Sequence, residues 1–264
     1  MIRALSTAAL GMSAQQRQVD NIANNLANVN TTGFKRSSLA FQDLFYQNIP
    51  VSKRGASVDS IRSDVPELQI GHGARVVATI RNFSQGSISE TGNPLDLSVN
   101  GAGFFQVQMP DGSTAYTRDG NFTINAEGMM INNSGLILAD RIEIPHDSVA
   151  LQVSQDGVVS ALLDGDRGQI ELGQIELAKF VNPAGLRAIG DNLFVITEAS
   201  GQPFHGIPGV EGIGSLQQGY LEQSNVDIVS EMVKLIEAQR AYELNSKMVQ
   251  TAEEMMSVTN AIKR

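Results

Sequence analysis

Three histidines, the aspartates Asp119 and Asp156, and the glycine-flanked tripeptides at 71–73 and 101–103 are the residues of this chain to weigh first for chemistry. His72, His146 and His205 lie far apart in sequence, and none shares a helix face with a second ligand, so spacing yields no metal pair. Asp119 and Asp156 have the acidity that glycoside cleavage needs. Each is followed by Gly, however, and Asp-Gly is a strong hairpin signal that explains both without chemistry. Gly71-His72-Gly73 and Gly101-Ala102-Gly103 lack the third glycine and the strand-to-helix context of a nucleotide loop, so turn glycines are the better reading. A Gly-x-Ser-x-Gly elbow, a phosphate loop and cysteine are all missing from the sequence, which removes the usual serine and thiol nucleophiles, thiolate metal sites and disulfides. The expectation is a protein that is not an enzyme, with no catalytic, cofactor-binding or metal residues. Two other classes stay open, a glycan-processing enzyme and a β-domain binding module.

The bulk properties narrow the class further. A length of 264 residues with 42% hydrophobic and 18% charged content allows a sizeable core and one or two domains. The formal charge of -9 argues against a phosphate-binding surface, so no nucleic-acid partner is expected. No run approaches the ~20 apolar residues needed to span a bilayer, so no membrane insertion is expected. The opening residues MIRALSTAALGMSAQQRQ do not read as a cleavable signal.

The elements that must position any functional residue differ between the ends and the middle. Leu5, Met12, Val19 and Leu26 recur every seven residues, with Ala8, Gln15, Ile22 and Val29 three positions later, which predicts a helix from Ile2 to Asn30 with one apolar seam. Gly33, able to adopt the left-handed conformation, is the expected helix terminator, after the β-branched Thr31 and Thr32. Ile228, Leu235, Tyr242, Val249 and Met256 repeat the heptad spacing at the other end and predict a helix over roughly Val226 to Ala261. Ser224, Asn225 and Asp227 supply capping oxygens at its start, and Lys263 and Arg264 complement its dipole.

Between the helices the pattern alternates. Asp111-Gly112, Asp119-Gly120, Glu127-Gly128 and Asp156-Gly157 separate short runs rich in Phe, Tyr, Thr, Val and Ile, as consecutive hairpins do. The fold class is therefore α+β, with paired N- and C-terminal helices, in a coiled coil, around an inserted β-rich domain. The expected divisions are 1–47 for the first helical part, 48–70 for an extended linker or arm, 71–219 for the β domain and 220–264 for the second helical part. Gly201 to Gly219 reads as a second glycine-rich connection.

Asn21, Asn24, Asn25, Asn28 and Asn30 sit beside the first seam, although Asn is a poor interior helix former. Amides can be buried against other copies at lower desolvation cost than charges, and can set register there. This clustering favours an interface formed by Asn24, Asn25 and Asn28 together with the two seams, used for self-assembly and helix packing.

At this point AQQRQVDNIANNLANVNTTGFKRSSLAFQDLFYQ (Ala14 to Gln47) and QGYLEQSNVDIVSEMVKLIEAQRAYELNSKMVQTAEEMM (Gln218 to Met256) resemble the terminal signatures of the bacterial flagellar rod and hook proteins. Leu68 to Asn125 resembles their distal-rod branch in particular, and the proximal rod proteins are the nearest confusable relatives. The resemblance implies a structural subunit that self-assembles into a helical tube and transmits motor torque. It implies as partners further copies of the chain, other rod proteins, hook-side subunits, the L and P ring bushing and the flagellar type III export apparatus. It also implies a periplasm-spanning location reached without a cleaved leader. Asn48 to Pro66 matches in position the extended stretch of distal-rod proteins.

Overall fold

A computed structural model describes residues 2–49, 68–163 and 169–262. Helix α1 spans Ile2–Ala27 and helix α2 spans Ile228–Ile262, with twenty short strands between them among the described residues. This is an α+β chain with a helix at each end and a β-rich middle. Both helices follow the heptad spacing of their apolar residues.

Helix α1 stops several residues before Gly33. The backbone N–H groups of Asn28 and Val29 donate to the carbonyls three residues back, and Thr31 Oγ1 donates to Asn28 Oδ1 at 3.2 Å. The last turn thus tightens around Asn and Thr side chains that compete for backbone bonds. The start of α2 also differs from expectation. Ser224 Oγ accepts the N–H of Val226, but Asn225 turns away from the helix and accepts the N–H of Arg36 at 2.7 Å. Lys263 and Arg264 lie outside the described residues.

The chain divides into two compact units, and each has its own character. The first contains Met1–Asn24, Ser37–Ile80 and Ile228–Arg264. Besides the helices it holds strand Ser37–Asp43 paired with Ala74–Arg81, and Tyr46–Ile49 paired antiparallel with Leu68–Gly71. The expected arm therefore begins and ends in strands that pair with each other, from Tyr46↔Gly71 to Ile49↔Leu68. The stretch between them, 50–67, lies outside the described residues.

The second unit contains Asn25–Arg36 and Arg81–Asp227. Its main sheet has seven antiparallel strands, in the order Arg187–Gly190, Leu193–Val195, Thr114–Thr117, Phe105–Gln108, Ile137–Leu138, Met130–Asn132 and Phe122–Ile124. A three-stranded meander, Ser148–Val153, Val158–Leu163 and Gln169–Gln174, adds a second sheet. The core is apolar and closely filled, with Leu97, Phe105, Phe122, Met130, Ile175, Leu177 and Leu216 fully buried. Phe105 and Phe122 meet edge to face at 5.1 Å. Gly201 to Gly219 is not a plain connection. It carries Phe204–Gly206, which pairs with Leu177–Lys179, and Ser215–Gln218, which pairs with Leu97–Asn100.

Three of the four expected turns join paired strands. Met109 to Ser113, Asn125 to Met129 and Ser154 to Val158 each close a hairpin. Asn125 shows why such a turn is stable, because its Oδ1 accepts the N–H groups of Glu127 at 3.0 Å and Met129 at 2.8 Å. Asp119-Gly120 is different: the strands on its two sides pair with other partners. Gly120 is needed for close approach, since a Cβ there would lie 1.5 Å from the carbonyl oxygen of Leu97.

Candidate functional site

In the helical unit the burial pattern selects small side chains. Among the described residues the buried ones along α1 are Ala8, Ala14, Ile22 and, at its end, Asn25, and along α2 they are Glu231, Ala238 and Ala252. Asn245 completes the α2 line at heptad spacing, and a Cβ on Gly11 would stand 3.1 Å from its Nδ2. Beside this line, Gln16 and Val19 of α1 with Gln239, Tyr242 and Glu243 of α2 border a groove of about 410 Å³.

The seam residues singled out from the sequence flank that line. Leu5, Met12, Val19, Leu26 and Val29 are half-buried and Ile22 is buried. On α2, Leu235, Val249 and Met256 are half-buried while Ile228 and Tyr242 are exposed. The asparagines do not form one face. Asn24 is exposed, Asn28 is half-buried and Asn25 is buried, and all three are engaged within the chain. Asn21 pins the following strand, donating from Nδ2 to the Ser37 carbonyl at 2.9 Å and accepting from Ser37 Oγ at 2.7 Å.

The β-rich unit contains a buried ionic cluster that sequence reading missed. Lys35 Nζ pairs with Glu222 Oε1 at 2.5 Å and donates to the Ser84 carbonyl at 2.9 Å. Glu222 Oε1 also accepts the N–H of Gly86 at 2.8 Å, and Glu222 Oε2 lies 3.4 Å from Arg118 Nη1. Burial pushes the Lys35 ammonium below its ordinary pKa, the charge and hydrogen bond of Glu222 oppose that, and Arg118 adds to it. Gly33, at φ 67°, sits in the same seam: its N–H donates to the Glu222 carbonyl at 2.8 Å. Thr32 Oγ1 donates to Asp119 Oδ1 at 2.9 Å, and Asn225 Nδ2 donates to the Asn82 and Ser84 carbonyls. Residues 25–36 are thereby stitched to 82–86, 118–119 and 222–225. The only hint in sequence was a charge set within otherwise apolar or strand-like surroundings, as in Gly33-Phe34-Lys35 and Tyr220-Leu221-Glu222.

His72, His146 and His205 are exposed and far from one another in sequence, and no group of three or more metal-ligating side chains occurs among the described residues.

Three family models match the chain. Residues 5–35 match "Flagella basal body rod protein", 98–161 match "Flagellar hook protein FlgE/F/G D1 domain" and 217–262 match "Flagellar basal body rod FlgEFG protein C-terminal". The flagellar basal-body rod protein FlgG of Borreliella burgdorferi is 47% identical over 266 residues, covering 100% of both chains. That of Caulobacter vibrioides is 45% identical over 99% of this chain and 100% of its own. The rod protein FlgF of the same bacterium is 36% identical over 93% of each.

Proposed function

The chain belongs to the family of flagellar basal-body rod proteins, and from that premise we propose that it builds the distal rod, self-assembling into a helical tube that carries motor torque toward the hook. It is a structural subunit of the basal body and not an enzyme. The observation that carries the assembly reading is the surface of α2. Leu244 is 63% exposed and Val229 71%, and Met232, Val233, Ile236, Met248 and Met255 are each about half exposed. A helix that is apolar on several sides is stable in water only when something covers it. Further copies of the chain supply that cover, and contacts between unlike faces that do not close into a ring propagate a helix.

Within this reading the seam residues Leu5, Met12, Val19, Ile22, Leu26 and Val29 pack with Ile228, Leu235, Tyr242, Val249 and Met256 in a coiled coil inside and between subunits. Asn24 lies at the contact with neighbours, while Asn25 and Asn28 shape the end of α1. The paired strands at 46–49 and 68–71 present the arm to adjacent copies. Hook-side subunits, other rod proteins and the L and P ring bushing are its partners, with delivery to the periplasm through the flagellar type III apparatus. Electron microscopy of the concentrated full-length protein tests the core of this proposal. Tubular or helical polymers are expected; a chain that stays monomeric at every concentration and salt condition overturns it.

A further inference from the structure

Sulfur in this chain occurs only in methionine, because the sequence has nine Met and no Cys. The burial of those thioethers is uneven. Among the described residues the exposed methionines are Met232, Met248 and Met255, which are 49%, 55% and 50% accessible, and all three lie on α2. Met130, in the core of the β-rich unit, is fully buried, and Met12, Met109, Met129 and Met256 are half-buried. Met248 follows Leu244 by four residues and Met255 precedes Val258 by three, a spacing that aligns them on one side of the helix. Met232 stands likewise between Val229 and Ile236. The accessible sulfur is therefore concentrated in the apolar surface that the assembly reading covers with further copies of the chain.

A thioether is a polarizable nucleophile, and a hydroperoxide that reaches it oxidises it. The methionine sulfur donates a lone pair to one peroxide oxygen, the S–O bond forms as the O–O bond breaks, and the other oxygen leaves with the proton as water or an alcohol. Sulfur is thereby oxidised to the sulfoxide, and the peroxide is reduced. The product side chain is polar, and its oxygen, pressed against an apolar partner that offers no donor, carries the desolvation cost of any unpaired polar group. A thiol, which would compete for the oxidant, is missing from this sequence.

We propose that Met232, Met248 and Met255 form a reversible modification site, at which a hydroperoxide converts the free chain into a form that does not assemble and methionine sulfoxide reductases restore it. The preference for these three positions rests on their exposure; its effect on polymers rests on the assembly reading. The test treats dilute full-length protein with hydrogen peroxide and maps the added oxygen by peptide mass spectrometry. The lowest concentration that yields sedimenting polymers is then measured before treatment, after it, and after repair by the two reductases, one for each sulfoxide epimer, with dithiothreitol as reductant. Oxidation at the three α2 positions well ahead of Met130 is expected, with a rise of about tenfold or more in that concentration, reversed by repair. A variant carrying Met232→Leu, Met248→Leu and Met255→Leu keeps the apolar surface, so it should polymerise like wild type and continue to do so after peroxide. Oxidation of Met130 as fast as Met248, an unchanged assembly concentration in the oxidised chain, or equal peroxide sensitivity in the leucine variant overturns the proposal. An untreated chain that never polymerises refutes the assembly reading and the effect on polymers with it, while the order of oxidation still decides the site.

Discussion

In the β-rich unit the fully buried side chains are the largest apolar ones, Phe105, Phe122, Phe194, Leu97 and Met130, whereas along α2 the buried positions are Ala238, Ala252 and Glu231 and the large residues face outward. Both regions have enough apolar residues for a core. The β-rich unit uses them internally, around a buried cluster in which Lys35 and Arg118 share the carboxylate of Glu222. The helical unit spends small residues on internal contact and leaves Leu244, Met248, Met255 and Val258 facing outward. Covering a side chain of this type is worth about 1.5–3 kcal/mol when burial is complete. The difference teaches that stability of the single chain resides in the β-rich unit, while the free energy available to α2 is realised on association.

The comparison breaks most decisively at Leu244. Leu244→Asp should leave the melting temperature of the dilute chain nearly unchanged, within about 0.5 kcal/mol as for other exposed sites, and should abolish assembly. Sedimentation of concentrated samples measures the second effect, and normal polymers from this variant would refute the role given to α2. Leu26→Asp and Leu235→Asp, at half-buried seam positions, should impair both the monomer and the polymer.

The reverse pattern is expected in the β-rich unit. Glu222→Gln leaves Lys35 and Arg118 buried without their shared anion, and removing one partner of a buried pair costs about 3–5 kcal/mol. Urea unfolding should show the loss, and adding Lys35→Met should recover part of it. A neutral Glu222→Gln would mean that the cluster contributes little to the fold.

Gly33→Ala comes next. The residue holds φ at 67°, and a Cβ would lie 2.6 Å from the backbone nitrogen of Asp119, so a loss of about 1–3 kcal/mol is expected from strain and displacement. Chemical denaturation of the full chain checks this, and stability equal to wild type would show that the backbone there relaxes freely.

The smallest effect concerns pH. Burial raises the Asp140 pKa from 3.8 to about 6, against a hydrogen bond from the Glu176 N–H at 3.1 Å, and the Glu176 charge raises it further. Between about pH 4 and 6 the folded chain thus retains a proton that the unfolded chain has released, so Asp140 contributes a stability that declines as pH rises through that window. Asp140→Asn should flatten this decline and leave the protein more stable above pH 6 by about 1 kcal/mol or less, because the partly exposed group is screened. Unfolding midpoints at pH 4.5 and pH 7 give the comparison, and an unchanged slope would exclude Asp140 as its cause.

Much of the plan was legible in the chain itself. Leu5, Met12, Val19 and Leu26, like Leu235, Tyr242 and Val249, mark helices because a heptad spacing places side chains along one face. Asp111-Gly112 and Asp156-Gly157 mark hairpins because few residue pairs accept the tight reversal. Asp119-Gly120 carries the same pair and makes no hairpin, because the need for a glycine there comes from Leu97, which is more than twenty residues away. Lys35 and Glu222 meet across 187 positions, and neither period nor composition marks such a meeting. Local pattern determines which segments become helix, strand or turn, because those choices depend on near neighbours. Which face is buried, why Ala8, Ala14, Ala238 and Ala252 are buried while larger seam residues are only half-buried, and which charges can be taken out of water were decided only by tertiary structure, because each depends on atoms that the fold brings together from distant parts of the chain.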